Sequence, residues 1–388
     1  MTTRGTPLVI SGARVFDERG EFSSRARVAI AEGVFVDGRS PAPANATSLN
    51  ATGMWLVPGL YDCHSHISWG DFHREDRERR SMDERRSQAS EALAATLRGG
   101  VTSVRDAGGA DAALRDAVAD GSLTGPRLQI SVDLIGAEDA GSVSSVRAAV
   151  GRALDKGATW IKLVATTGVA TAADAVLDSI FTKAEFVAAV DAAREGDAHV
   201  MVHTWGGDSI DWAIDAGATS LEHGIYLTTS QATRARDAGV TLVPTLTIYR
   251  YVRDLVIAGK LGGVPLARIN DVIAVHEKAV RLAMEVGLPL AVGSDFTTTE
   301  QHGRNLVEIG SLMRAGLSSA EALLAATRNG AALLHDPDGG VIAPGYRADA
   351  VILARDPADP STFEDPQNVA AVIKDGGIVH LSPSLTTT

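Results

Sequence analysis

Residues 56–66 read "LVPGLYDCHSH", an apolar run that closes on His64 and His66 two positions apart, with Asp62 just ahead. In an extended strand the side chains alternate between faces, so positions 62, 64 and 66 share one wall. Three ligand-type groups at the end of one strand point to a metal. A chance surface pair of histidines is the blander reading, and it weakens if other strands end the same way.

Outward from this stretch the chain alternates. Short apolar segments, "VTSVRDAG" (101–108), "RLQISVDLI" (127–135), "TWIKLVATTG" (159–168), "HVMVHTW" (199–205), "ATSLEHG" (218–224), "VTLVPTL" (240–246) and "LPLAVGSD" (288–295), are strand candidates. Helical runs lie between and after them, over 84–98, 141–156, 182–195, 208–216, 230–238, 266–286 and 317–330. With the opening stretch as the first strand, eight strand–helix units predict an α/β fold, a closed (β/α)8 TIM barrel over residues 58–340. The count disfavours an open doubly wound sheet. On either side the character changes: "LVISGARVF" and "RARVAIAEGVFVDG" before, "ADAVILAR" and "VAAVIKDGGIVHL" after, read as short strands with tight turns. Neither residues 1–57 nor residues 341–388 suffice for a core alone. The two pieces are expected to pack together as one small domain made from both chain ends.

Composition sets limits on function. Of 388 residues, 36 are Lys or Arg and 48 are Asp or Glu, a formal charge of −12. Nucleic-acid backbones need clustered positive charge, so this balance speaks against such a partner. The single cysteine, Cys63, allows no internal disulfide. The first residues lack the apolar stretch of a signal peptide, and no window approaches the roughly 20 apolar residues that span a membrane. The expectation is a cytoplasmic protein with no membrane partner, acting on a small molecule, with a homo-oligomer as the default assembly.

Active sites of such barrels form at the C-terminal ends of the strands. There this chain carries His64 and His66 on strand one, Lys162 in strand four, His203 on strand five, Glu222 and His223 on strand six, and Asp295 on strand eight. Singly, His203 or His223 reads as a hydrogen-bonded structural histidine, and Asp295 in "SDFTTTE" as a helix cap. Their shared placement favours ligation. His73, His199, His276, His335 and His380 lack it and read as structural or surface residues, as do Arg105 and Asp106 at the end of strand two. Lys162 is the most telling, because an ammonium in an apolar strand is costly to bury unless paired or neutralised. It can pair with a carboxylate, act as a depressed-pKa lysine in Schiff-base chemistry, or add CO2 and become a carboxylate-like metal bridge. The residues alone leave all three open.

Taken in order, "GLYDCHSH", "IKLVATTG", "HTWGG", "LEHG" and "GSD" resemble the amidohydrolase superfamily, specifically its two-metal members with a carboxylated lysine, the prolidase-like and imidazolonepropionase-related hydrolases. The segments "NLVEIGSLMRAGLSSAEALLAATRNGAALL" and "GVIAPGYRADAVIL" extend the likeness over about residues 8–355. The resemblance implies a distorted barrel with a small β-sandwich formed by both termini. It implies one metal on His64, His66 and Asp295, a second on His203 and His223, and a carboxylated Lys162 between them. Two divalent ions follow, Zn2+ first, with Mn2+, Co2+ or Ni2+ as alternatives that also suit nitrogen and oxygen ligands. Two segments depart from the usual pattern. "VHTWGG" stands where relatives often carry a second histidine after an alanine, so Trp205 reshapes the pocket wall, and "ATTG" replaces "ATGG". Single-metal members, many deaminases among them, generally lack the strand-four lysine, which ranks deamination low.

The expected reaction is hydrolysis of an amide or related carbonyl–nitrogen bond, with Asp295 taking the proton of a bridging hydroxide and passing it to the leaving nitrogen. Recognition falls to the loops. The stretch "ISWGDFHREDRERRSMDERR" (67–86), with Trp69 and Phe72, reads as a lid or as a plain helix start over 74–90. "TLTIYRYVRDL" (245–255) brings Tyr249 and Arg250 to the opening, Arg250 as a clamp for a substrate carboxylate. Tyr226 is a candidate donor to the scissile carbonyl, and His302 a candidate substrate partner. The first substrate expectation is an N-acyl amino acid or dipeptide. The alternative is a cyclic amide, a carbamate or a xenobiotic aryl-amide of mycotoxin type. A phosphotriesterase and a non-catalytic small-molecule-binding barrel rank lower.

Overall fold

A computed structural model, which describes residues 6–24, 26–39, 45–168, 176–261, 265–385 and 387, puts the opening stretch at the seam between two sheets. In chain order the strands are β1 (Leu8–Val15), β2 (Ala26–Ala31), β3 (Val34–Val36), β4 (Thr47–Asn50), β5 (Trp55–Pro58), β6 (Leu60–Ser65), β7 (Val101–Asp106), β8 (Arg127–Ile130), β9 (Leu134–Ile135), β10 (Trp160–Val164), β11 (His199–Thr204), β12 (Ser220–His223), β13 (Thr241–Val243), β14 (Ala350–Leu353), β15 (Val369–Lys374) and β16 (Gly377–Leu381). The chain passes from β5 directly into β6 through Gly59. A Cβ there would lie 2.3 Å from Thr102 Oγ1 and 2.6 Å from the Asp349 Cβ, so only glycine lets the two sheets meet this closely.

The first sheet runs β16-β15-β14-β5-β1-β2-β3, with β4 beside β1, and is therefore built from both ends of the chain. It has its own buried core around Leu8, Ile10, Ile30, Leu56, Ile352 and Ile373. The other strands form the barrel wall, β6-β7-β8 and β9-β10-β11-β12-β13, all parallel. β8 and β9 belong to one run, broken where Val132 takes a φ of 63°.

Strand eight differs from expectation. Residues 289–295 do not form a regular ladder, yet they close the barrel with hydrogen bonds on both sides. Leu242 donates to the Pro289 carbonyl (2.9 Å) and Ala291 to that of Leu242 (3.0 Å); Cys63 donates to Val292 (2.8 Å) and Asp295 to His64 (2.7 Å). Gly293 permits the close packing, since a Cβ there would meet Val243 Cγ1 at 2.4 Å and His64 Cβ at 2.7 Å.

Helices cover the wall, and Ser81, Thr182, Thr228 and Ser318 each start one through a reciprocal capping box. Among the described residues no helix is long and apolar enough to cross a membrane. The helix expected over 317–330 is two, Ser319–Ala326 and Arg328–Leu333, parted at Thr327, whose hydroxyl turns back to the Leu323 carbonyl (2.7 Å). The first loop takes the helix reading, as Arg74–Glu78 and Met82–Arg98. Its start packs beside the segments that follow strands seven and eight: Phe72 on Val252, Leu261 and Ile269, and Gly70 bridged to Thr298.

Asp62 does not share the wall of His64 and His66. The β6–β7 register shifts between Asp62 and Ser65, which turns its carboxylate toward strand eight. There it accepts from the Ser294 amide (2.9 Å) and hydroxyl (2.6 Å) and from Asn305 Nδ2 (2.7 Å). Asp62 is thus a buried strut between strands one and eight. Asp62→Ala strands these donors in the core and is expected to lower stability by at least about 2 kcal/mol. Urea unfolding of the metal-free protein measures this, and a loss near zero would remove the strut.

Candidate metal centre

The residues named at the strand ends come together at one end of the barrel. The ligand atoms of His64, His223 and Asp295 all lie within 4.8 Å of one another. His64 Nε2 and His66 Nε2 stand 3.4 and 3.3 Å from the same Asp295 oxygen. Lys162 Nζ is 3.0 Å from His64 Nε2, and His223 Nε2 is 2.8 Å from His203 Nδ1. The tightest group therefore crosses the expected division of ligands, taking one histidine from each set. Among the described residues it is one cluster able to hold one ion, with His66, His203 and Lys162 adjoining it.

Backbone geometry aims these side chains. His223, Thr245 and Asp295 hold left-handed φ values of 71°, 57° and 55°. Non-glycine residues adopt that region only when their surroundings impose it. For His223 the surroundings are Thr245 Oγ1, 2.7 Å from Nδ1, and His276 Nε2, 2.9 Å from its carbonyl oxygen.

Partners on the far ring nitrogens set which nitrogen is free. His64 Nδ1 lies 2.5 Å from Glu222 Oε2, and His66 Nδ1 lies 3.0 Å from the Gly108 carbonyl. Burial raises the Glu222 carboxyl, but Arg105 and His64 outweigh it and hold it at about 2, ionised. A carboxylate and a carbonyl only accept, so each Nδ1 donates and each Nε2, in a neutral ring, carries a lone pair. Burial, then the Lys162 charge, pushes His64 down to about 4 and His203 to about 3. His223 is pushed well below the ordinary range by burial and the neighbouring histidines. Burial also lowers Lys162 to about 8. Burial opposes ionisation of Asp295, yet His64, His66 and Lys162 hold its carboxyl below the usual range.

This donor set fits a divalent metal. With both rings neutral, two imidazole lone pairs and a carboxylate oxygen converge, and a cation standing there would satisfy all three. The donors are nitrogen and oxygen, suited to Zn2+ and its neighbours in the series. Cys63 stays out: burial raises its thiol, and the sulfur points to the Gly330 carbonyl. His203 and Asp295 are only partly buried, so the cluster is open on that side.

The expected substrate contacts fare unequally. Trp69 stacks on His66 with ring centroids 3.8 Å apart, and the Arg77 guanidinium lies 3.8 Å from the Trp69 centroid. Trp205 is buried edge-on to Tyr249 (5.7 Å), whose ring is 6.0 Å from that of His223. Tyr226 is half-buried with its amide on the Trp205 carbonyl (2.6 Å), and His302 is buried near His66. Arg250 is not a free clamp. The stretch read as a loop is the helix Leu246–Ile257, and one step along a helix turns a side chain by about 100°. Tyr249 faces the site, while Arg250 is bound to Ser311 Oγ (2.8 Å) and Glu277 Oε1 (2.7 Å). Glu222, grouped with the strand-end ligand candidates, instead supports His64 from behind, Arg105, read as structural, holds Glu222, and Thr245 was not singled out. Two opposite charges inside apolar strands, Arg105 and Glu222, were the available signal, because each needs a partner.

A sequence profile of the amidohydrolase family matches residues 55–379. An uncharacterised protein of Mycobacterium tuberculosis is 29% identical over 341 residues, covering 86% of this chain and 89% of that protein. The ochratoxinase of Aspergillus niger is 28% identical over 375 residues, covering 85% of this chain and 76% of that protein. A crystal structure of a prolidase complexed with N-methylphosphonate-L-proline superposes with a TM-score of 0.89 at 28% identity, covering 97% of this chain and 100% of that one.

The lowered histidines give a pH dependence. His276 and His302 are pushed by burial to about 4, as is His64. Each is neutral in the fold and takes up a proton on unfolding between its ordinary value near 6.5 and about 4. Stability is fully present above that window and falls as pH drops through it. Melting temperatures of metal-free protein at pH 7.5, 6 and 5 are expected to decline stepwise; a flat series contradicts the neutral cluster.

Proposed function

The chain belongs to the amidohydrolase family, and on that footing we propose that it is a two-metal hydrolase of amide bonds, acting first on N-acyl amino acids or dipeptides. The observation that carries this reading is the convergence of His64, His223 and Asp295, with His66, His203 and Lys162 against them. His64, His66 and Asp295 would hold one ion and His203 with His223 the other. Divalent ions bound there supply Lewis-acid polarisation of the substrate carbonyl and an acidified water.

The chain's own residues do the rest. The lowered pKa of Lys162 leaves part of the amine as free base near neutral pH. Adding CO2 to that amine, with loss of one proton, forms a carbamate and turns a buried cation into an anion among cations. Asp295, ionised and partly exposed, takes a proton from the attacking water and returns it to the leaving nitrogen as the carbon–nitrogen bond breaks. Tyr226 and His302 are assigned to the substrate carbonyl and its surroundings. Trp69, Trp205 and Tyr249 form apolar walls that exclude water. The prolidase complex supports an N-substituted amino acid as substrate. The similarity to ochratoxinase favours a second reading, a xenobiotic aryl-amide, at the same centre.

Zn2+- or Mn2+-loaded protein screened against dipeptides, N-acyl amino acids, cyclic amides and aryl-amides is expected to turn over one of the first two classes. On that substrate, Asp295→Asn is expected to cut kcat by about 10²–10⁴-fold, and Lys162→Ala and His203→Ala to remove most turnover. Near-wild-type rates in all three variants would overturn the assignment.

A further inference from the structure

We propose that Arg105 and Glu222 are positioning residues that set the metal affinity of the site through His64, an inference that rests on the metal-centre reading above. Arg105 is on β7 and fully buried. Its Nε donates to the Cys63 carbonyl (2.5 Å), Nη1 to Ser220 Oγ (3.0 Å) and Nη2 to Glu222 Oε1 (2.8 Å). Its guanidinium lies 4.4 Å from the Trp160 ring centroid. Cys63 immediately precedes His64, and Glu222 immediately precedes His223. β6 and β12 are not neighbours in the wall. One guanidinium therefore ties, across the barrel interior, the two strands that deliver two of the three clustered ligands.

The link continues outward. Glu222 gives one oxygen to Arg105 and Ser220 and the other to His64 Nδ1 at 2.5 Å. That bond fixes the ring's orientation and its protonated nitrogen, leaving His64 Nε2 bare toward Lys162 and Asp295. A carboxylate on the far nitrogen also raises the basicity of a metal-binding imidazole. Apolar residues of similar volume often replace an isolated buried ion pair at little cost, but this pair also bonds the Cys63 carbonyl, the Ser220 hydroxyl and the His64 ring. Two charges in a barrel centre make better sense if a third group depends on them.

The test separates positioning from filling. The double variant R105M/E222L replaces the pair with apolar side chains, and E222Q keeps the shape of Glu222 without its charge. Zn2+ affinity is read by competition with a chromophoric chelator, alongside melting of the metal-free proteins. Both variants are expected to bind Zn2+ about 10–100-fold more weakly, with E222Q melting closer to wild type than the double variant, which strands the Cys63 carbonyl and the Ser220 hydroxyl. A folded variant with wild-type Zn2+ affinity overturns the proposal, and if the double variant does not fold, E222Q decides. One measurement needs no variant: the 15N shifts of His64 in metal-free wild type are expected to report the Nδ1–H tautomer, and an Nε2–H ring overturns the proposal as well. Wild type that binds no Zn2+ sinks the metal-centre reading instead, and the tautomer then judges this inference separately.

Discussion

At one end of this barrel, acceptors face acceptors. The Nε2 atoms of His64 and His66 meet one oxygen of Asp295 at 3.4 and 3.3 Å, and the outer partners of both rings occupy the nitrogens that carry protons. With both rings neutral, such an arrangement calls for a positive charge among the three atoms. Lys162 supplies the nearest positive charge, but burial works against it. Strands one, four and eight bring these groups together into a place built to hold a cation.

Much of the architecture serves that assembly. Strand eight gives up a regular ladder, yet Gly293 brings it against His64, and the backbone bond from Asp295 to the His64 carbonyl locks the two ligands together. Asp62 holds the same junction from below through Ser294 and Asn305. Left-handed backbone at His223, Thr245 and Asp295 marks where the turn of the chain is bent to aim a side chain. The small sheet keeps its own core, and the chain runs from it directly into the first site strand, from β5 into β6.

The barrel was legible because its elements repeat with the period of buried strands and amphipathic helices, and the strand ends carried histidines where the fold puts chemistry. What escaped the sequence depended on register and rotation. Asp62 obeys strand alternation on paper, but a shift before Ser65 turns it away from His64. Tyr249 and Arg250 are adjacent letters, and helical rotation sends one to His223 and the other to Glu277. Arg105 and Glu222 were visible as charges in apolar strands. That they meet each other, and then His64, is a fact of barrel closure that no linear spacing contains.

What occupies the space between the ligands decides whether this barrel is a metal centre. Crystals grown with Zn2+ and bicarbonate, with diffraction collected at the zinc edge, examine that space directly. Two anomalous peaks among His64, His66, His203, His223 and Asp295, with added carboxyl density on Lys162 Nζ, are the predicted result. A bare Lys162 amine in a well-ordered map with no peak beside it would contradict the account.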